Sequence, residues 1–117
     1  MGAGVAGFDA DGALDPCDEL DAAEAAGEQF WQLPIPEDAR PKLDSKVADL
    51  NNIATGGFAG SIICALFLNR FVAAAKAWLH LDIYAWTPSA KPGRPEGGEC
   101  QAARAVYAYL AERFAGA

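Results

Sequence analysis

Gly57-Phe58-Ala59-Gly60-Ser61-Ile62-Ile63-Cys64-Ala65-Leu66-Phe67-Leu68-Asn69-Arg70 decides how this chain can fold. The glycine pair at 56–57 introduces a helix over roughly residues 57–77, and from Ile62 to Leu68 that helix has no polar face. A helix that is apolar all round needs cover on every side. The next stretch, residues 79–86, alternates Leu79, Leu81 and Ile83 with His80, Asp82 and Tyr84. That period of two predicts a strand.

Outward toward the N-terminus, residues 46–50 read as a short strand followed by an Asn51-Asn52 turn. Residues 30–44 contain Pro34, Pro36 and Pro41, which predicts an extended connection. Asp15-Pro16 opens a helix, with Asp as N-cap and Pro at the first helical position. Asp18 and Glu19 follow in its first turn, where the helix dipole favours acids. This helix runs to about Ala26 and stops at Gly27. Residues 1–14, rich in Gly and Ala, read as a turn or loop. Outward toward the C-terminus, residues 87–98 hold three prolines and three glycines and form a loop. Residues 99–114 form a final helix with Val106, Leu110, Arg113 and Phe114 along one face. No internal repeat is visible.

The resulting order, helix-strand-helix-strand-helix, fits an α/β layer. Two strands alone make a marginal sheet, and they leave the apolar helix without enough cover. The chain therefore reads as a piece of a larger domain or as the obligate partner of another chain.

Charge is unevenly spread over the 117 residues, whose formal net charge is -7. Residues 1–39 carry ten acids and no Lys or Arg, while residues 40–117 carry nine basic residues against six acids. This acidic lead argues against nucleic-acid binding, which needs a basic face. Cys17, Cys64 and Cys100 are odd in number and widely spaced, so neither a disulfide framework nor a zinc knuckle is expected. Reduced thiols in the cytoplasm are the simplest reading. No basic, apolar leader opens the chain, and Met1-Gly2 lacks the Ser or Thr that myristoylation wants at position 6. The longest apolar stretch, residues 58–68, has 11 residues and is too short to span a bilayer.

Gly2-Ala-Gly4-Val-Ala-Gly7 spells the dinucleotide fingerprint, which works only between a strand and a helix. Nothing precedes it, and Phe8-Asp9-Ala10-Asp11-Gly12 follows. A calcium loop at Asp9-Ala10-Asp11-Gly12 would need Gly and Glu where Leu14 and Leu20 stand. Gly56 to Ser61 opens a helix and offers backbone N–H groups to an anion. It lacks the Lys-Ser/Thr pair of a phosphate loop, so close packing of a glycine-rich helix start is the simpler reason. His80, the only histidine, shares a strand face with Asp82, about 7 Å away by strand rise. A relay would need Ser61 or Ser89, without any Gly-x-Ser-x-Gly elbow, and a metal site would need carboxylates absent from that spacing. His80 reads as a satisfied structural residue. Trp31, Trp78 and Trp86 read as core, and the acidic run 9–28 as a solvated helix face.

Several strings in fixed order carry a resemblance. These are Phe30-Trp31-Gln32-Leu33-Pro34-Ile35-Pro36, then Leu43-Asp44-Ser45-Lys46-Val47-Ala48-Asp49-Leu50-Asn51-Asn52, then Gly57-Phe58-Ala59-Gly60-Ser61-Ile62. Ala65-Leu66-Phe67-Leu68-Asn69-Arg70-Phe71-Val72 and Trp78-Leu79-His80-Leu81-Asp82-Ile83 follow. Together they resemble the C-terminal end of leucyl aminopeptidases of the M17 (cytosol aminopeptidase) family, over nearly the whole chain and best over residues 31–83. The loop of residues 86–99 is similar to that of one bacterial subgroup.

The resemblance implies the C-terminal portion of an α/β/α sandwich with a mixed sheet, incomplete as a domain. It implies residues 1–117 as part of a catalytic domain, with 1–39 an acidic lead and helix and 40–117 the main sheet and helix segment. Strand 79–84 would then pair with strands outside this chain. The family's members are cytoplasmic and usually homohexameric, hold two divalent metals, commonly zinc or manganese, and release N-terminal amino acids from peptides. Their metal ligands and catalytic Lys and Arg lie upstream of the matched region, and the signature Asn-Thr-Asp-Ala-Glu-Gly-Arg-Leu does not occur here. No metal is therefore expected on this segment, and no catalytic residue in it. What carries over is the substrate-binding wall just after His80-Leu81-Asp82-Ile83, which by position is Tyr84 and Thr87. Two departures stand out: Ile83-Tyr84-Ala85 where the family favours Ile-Ala-Gly, and Gly97-Gly98-Glu99-Cys100 where it favours Gly-x-Thr-Gly.

Three functions follow as expectations. The first is the C-terminal part of a metallo-aminopeptidase, inactive by itself, acting on peptides within a homo-oligomer and touching neither nucleic acid nor membrane. The second is a non-catalytic interaction module that docks on full-length subunits through its apolar helix. The third is a free-standing acidic binding domain, which would have to unfold cooperatively as this chain alone.

Overall fold

Ala3–Asp9 forms strand β1, against the expectation of a loop over 1–14. Glycine-rich sequence is a poor strand former, but this segment is paired on both edges. β2 (Phe30–Gln32) runs parallel to it, with Gly4 opposite Trp31. β3 (Ala77–Asp82) runs antiparallel, with Gly4 opposite Asp82 and Ala6 opposite His80. Two ladders satisfy the backbone groups and override local propensity. The sheet is mixed, of order β2-β1-β3. The fingerprint glycines Gly4 and Gly7 thus lie inside a strand, where no phosphate-binding turn exists. Strand β3 finds its partner within the chain, contrary to the expected external pairing.

The computed structural model describes residues 3–9, 16–54, 56–72, 74–75 and 77–115, with residues 3–9, 16 and 17 described by backbone. Asp15 and the supposed calcium-loop positions 10–14 lie outside them.

Helix α1 (Pro16–Ala25) connects β1 to β2 and carries Asp18 and Glu19 in its first turn. It stops as its sequence predicts. Gly27 adopts φ +71°, its N–H bonds the Glu24 carbonyl, and the Glu28 N–H bonds the Ala23 carbonyl at 2.8 Å. This is the paired-bond helix end that a left-handed glycine permits.

Residues 30–44 are more structured than an extended connection. After β2, a 3₁₀ helix (Glu37–Leu43) forms around Pro41, which has no N–H to extend an α-helix. Residues 46–50 form no strand. The Ser45 hydroxyl accepts the N–H groups of Val47 and Ala48 at 3.3 and 3.1 Å, which takes them from any ladder.

Helix α2 spans Gly60–Asn69, half the length expected for 57–77. Ala59 at φ 64° sets its start, and bonds from Arg70 to Phe67 and Phe71 to Leu68 tighten its end. Its inner side buries Ile63 and Leu66 against Ala39 and Leu43 of the 3₁₀ helix. The Arg40 guanidinium, paired with Glu37, reaches Asn69 Oδ1 at 3.3 Å and ties the two helices. The outer side is bare: Leu68 and neighbouring Phe58 and Phe71 are exposed.

β3 ends at Asp82, four residues earlier than expected for 79–86. A short hairpin follows, β4 (Trp86–Thr87) against β5 (Gly97–Gly98). Helix α3 is Ala103–Arg113 rather than 99–114. It packs on α1 through Ala102, Ala105 and Tyr109, with Ala22 and Ala23 buried on α1. The expected face is therefore wrong, because Leu110 and Phe114 point to solvent.

The molecule is a slab, 48 × 40 × 18 Å. Its radius of gyration is 16.2 Å, against about 13 Å for a compact domain of this length. Its accessible surface is 7942 Å², against about 6,100 Å² for a compact monomer of this size. Helices packed on a small open mixed sheet are consistent with an incomplete α/β domain.

Candidate functional site

Gly4 lies between Trp31 on one side and Asp82 on the other. Where these strands end, an open cleft of about 540 Å³ forms. Trp31 and Leu33 form one wall, Asp82, Ile83 and Tyr84 another, and Ala59 to Ile62 at the N-terminus of α2 the third. Trp31 is 73% exposed and serves the cleft, against its expected place in the core. Its polar neighbours Gln29 and Gln32 were the available signal.

Tyr84, singled out from sequence, lines this cleft and is half exposed. Thr87 lies elsewhere. It is buried, and its hydroxyl donates to Glu99 Oε2 at 2.7 Å. Arg94 pairs with the other oxygen of the same carboxylate. The hydroxyl bond, then the nearby Arg94 and Lys91 charges, hold the Glu99 carboxyl below its ordinary pKa, against the opposing effect of partial burial.

Between Tyr84 and Thr87, Ala85 is left-handed at φ 54°. Its N–H donates to Gln101 Oε1 at 2.8 Å, and its carbonyl accepts the Glu99 N–H at 2.9 Å. The segment 99–101, expected in the last helix, instead clamps this turn. Glu99 and Gln101 were missed because a polar triplet ahead of an apolar helix looks like an ordinary first turn.

On the far side of the clamp, the Glu28 carboxylate is nearly buried and accepts Arg104 Nε at 3.2 Å and the Ala105 N–H at 3.4 Å. It caps α3, whose own N-cap residue, Ala102, has no side chain to do so.

His80 stacks on Trp78 with ring centres 6.0 Å apart. Its Nε2 is buried without a hydrogen-bond partner, so it is not the satisfied histidine expected. Ser61 and Asp82 both line the cleft, but His80 bonds to neither, so no relay is assembled. Nor do the α2 glycines pack closely, since no atom lies within 4 Å of where a Cβ would stand on Gly57 or Gly60. Gly56 is needed for its φ of 113°. Among the described residues no group of three His, Cys, Asp or Glu side chains could hold a metal ion, and no helix is long and apolar enough to cross a membrane.

Residues 6–107 match the sequence profile of the cytosol aminopeptidase family, catalytic domain. The chain belongs to the cytosol aminopeptidase family. It is 41% identical over 91 residues to a probable cytosol aminopeptidase of Geobacter sulfurreducens, covering 76% of this chain and 18% of that protein. Against the probable cytosol aminopeptidase of Roseiflexus castenholzii it is 49% identical over 79 residues, 65% of this chain and 16% of the relative. The crystal structure of the cytosol aminopeptidase from Coxiella burnetii superposes with a TM-score of 0.81 at 38% identity, covering 94% of this chain and 23% of that one. The chain thus spans about a fifth of the length of the cytosol aminopeptidases it matches. The matched profile is that of the family's catalytic domain.

Proposed function

We propose that this chain is the C-terminal portion of a two-metal aminopeptidase that releases N-terminal amino acids from peptides. Residues 1–39 form its acidic lead with β1, α1 and β2, and residues 40–117 the segment that carries α2, β3 and α3. One observation carries the reading. The cleft is walled by Trp31, Ile83 and Tyr84 and open on one side, in a chain that matches the family over residues 6–107. Such a wall binds an apolar side chain and needs reactive groups from elsewhere.

The described residues do not fit a metal. The zinc or manganese pair that family membership implies is held by sequence upstream, together with the catalytic groups. Tyr84 forms the substrate-binding wall in the cleft, and Thr87 supports it from behind through Glu99. A cytoplasmic homohexamer is the proposed assembly and peptides the proposed substrates.

The test is direct. The purified chain, given zinc or manganese, should hydrolyse no leucyl peptide. Sequencing of the coding DNA upstream of Met1 should reveal an Asn-Thr-Asp-Ala-Glu-Gly-Arg-like segment in frame, and the longer product should be active. Activity of the isolated chain would sink the proposal.

A second reading, docking on full-length subunits as a non-catalytic module, is favoured by the surface. Val47, Ile53, Phe58 and Phe71 are each more than two-thirds exposed, and large apolar side chains left open to water favour association with a partner. A monomer by sedimentation, with no binding to a full-length homologue, would exclude it.

A further inference from the structure

Among the described residues three non-glycine residues have positive φ: Ala59, Ala85 and Ala102. Ala59 lines the cleft, and Ala85 follows its wall residue Tyr84. A residue bearing a Cβ disfavours this conformation, and such strain persists only where surrounding structure imposes it. For Ala85 the imposing groups are visible. Its N–H is held by the Gln101 side chain at 2.8 Å and its carbonyl by the Glu99 backbone at 2.9 Å. The two bonds come from residues that directly precede Ala102, itself left-handed at φ 66°. Relaxing Ala85 to an ordinary negative φ would change the direction in which Tyr84 leaves the chain.

We propose that Gln101 is a positioning residue: by holding Ala85 left-handed it fixes Tyr84 against the cleft and so sets which N-terminal side chain the cleft accepts. The inference rests on the proposed function, since it assumes that the Tyr84 wall meets substrate. Gln101 touches the turn and not the substrate. Its bond counts only because the backbone it holds is strained, so a backbone without that strain should make Gln101 dispensable.

Two variants test this, Gln101→Ala alone and Gln101→Ala combined with Ala85→Gly. In the complete aminopeptidase carrying this segment, kcat and KM are measured for leucyl and alanyl 4-nitroanilides. Gln101→Ala should raise KM for the leucyl substrate about fivefold, the equivalent of one hydrogen bond. The alanyl substrate and both kcat values should change less than about twofold. Glycine adopts the left-handed conformation freely, so the double variant should restore the leucyl KM. In the 117-residue chain, amide exchange of Ala85 should be slowed, and Gln101→Ala should remove that protection. Equal losses for both substrates, a fall in kcat alone, or no restoration by Ala85→Gly would overturn the inference. So would an Ala85 amide that exchanges freely in the unvaried chain. If the unvaried complete protein hydrolyses neither substrate, the proposed function itself falls. If it hydrolyses both and Gln101→Ala behaves identically, only the inference falls.

Discussion

The cluster around Leu43 and Leu66 and the turn around Ala85 hold their elements by opposite means. In the first, two fully buried leucines join α2 to the 3₁₀ helix, with Ile35, Leu50 and Phe67 packed around them. Burial there is non-directional, and any shape of similar volume would hold the helices together. In the second, an alanine held at φ 54° is gripped by bonds from Glu99 and Gln101. Little apolar area is involved, and each bond has one geometry. Apolar packing therefore sets where the helices sit, while directional bonds set how the cleft's rim is shaped. Four substitutions can break or sharpen this contrast.

The largest effect should come from Leu66→Ala. Leu66 is fully buried, and emptying such a site costs about 2–5 kcal/mol. Urea denaturation should show the loss as a lower midpoint. A change below about 1 kcal/mol would mean that the cluster yields easily and does not anchor α2.

Gly27→Ala comes next. No neighbour would meet the new Cβ, so the cost is purely that of a left-handed alanine at φ +71°, about 1–2 kcal/mol. A thermal melt should record it. This substitution also calibrates Ala85, which bears the same strain natively.

Glu28→Ala removes the distant cap of α3, an acceptor for both Arg104 and the Ala105 N–H. Loss of a cap costs about 1 kcal/mol. Fraying should be confined to the first turn of α3, as amide exchange would show.

The smallest effect is one of pH. Glu99 has its carboxyl pKa lowered in the folded chain, chiefly by the Thr87 hydroxyl. A lowered carboxyl contributes stability above the unfolded value, about 4.3, and loses it as pH falls through the folded value. Thr87→Val should flatten that acid limb of the stability curve by lowering the neutral plateau slightly, while stability below the folded value stays nearly unchanged. An acid limb of unaltered slope would show that Arg94, not Thr87, governs Glu99.

The same contrast explains what the sequence disclosed. Helix α1 and its Gly27 stop were legible because a proline at the first helical position and a left-handed glycine act locally. The apolar stretch 62–68 announced a helix needing cover, and α2 is one, bare on its outer side. The segments missed are those decided by remote partners. Strand β1 exists because β2 and β3 flank it, not because of its glycines. The helix starts at Gly60 and Ala103 rather than 57 and 99 because Ala59 and Ala102 turn left-handed, which alanine does not advertise. Of the cleft, Tyr84 was reached by resemblance, whereas Trp31 was assigned to the core and the Gln101 bond spans sixteen residues of irregular chain. Side-chain bonds of that reach leave no periodic trace in a sequence.

The order of the sheet also has a consequence in time. β1 is central, yet its antiparallel partner is paired through Ala6 and His80, so about seventy residues separate them. At roughly 5–20 residues per second on the ribosome, one edge of β1 waits several seconds for β3 to be made. Throughout that interval only the three-residue β2 can occupy the other edge. A nascent chain with a central strand half-paired for so long is a natural client for chaperones, and slowing translation between residues 32 and 77 should lower its soluble yield.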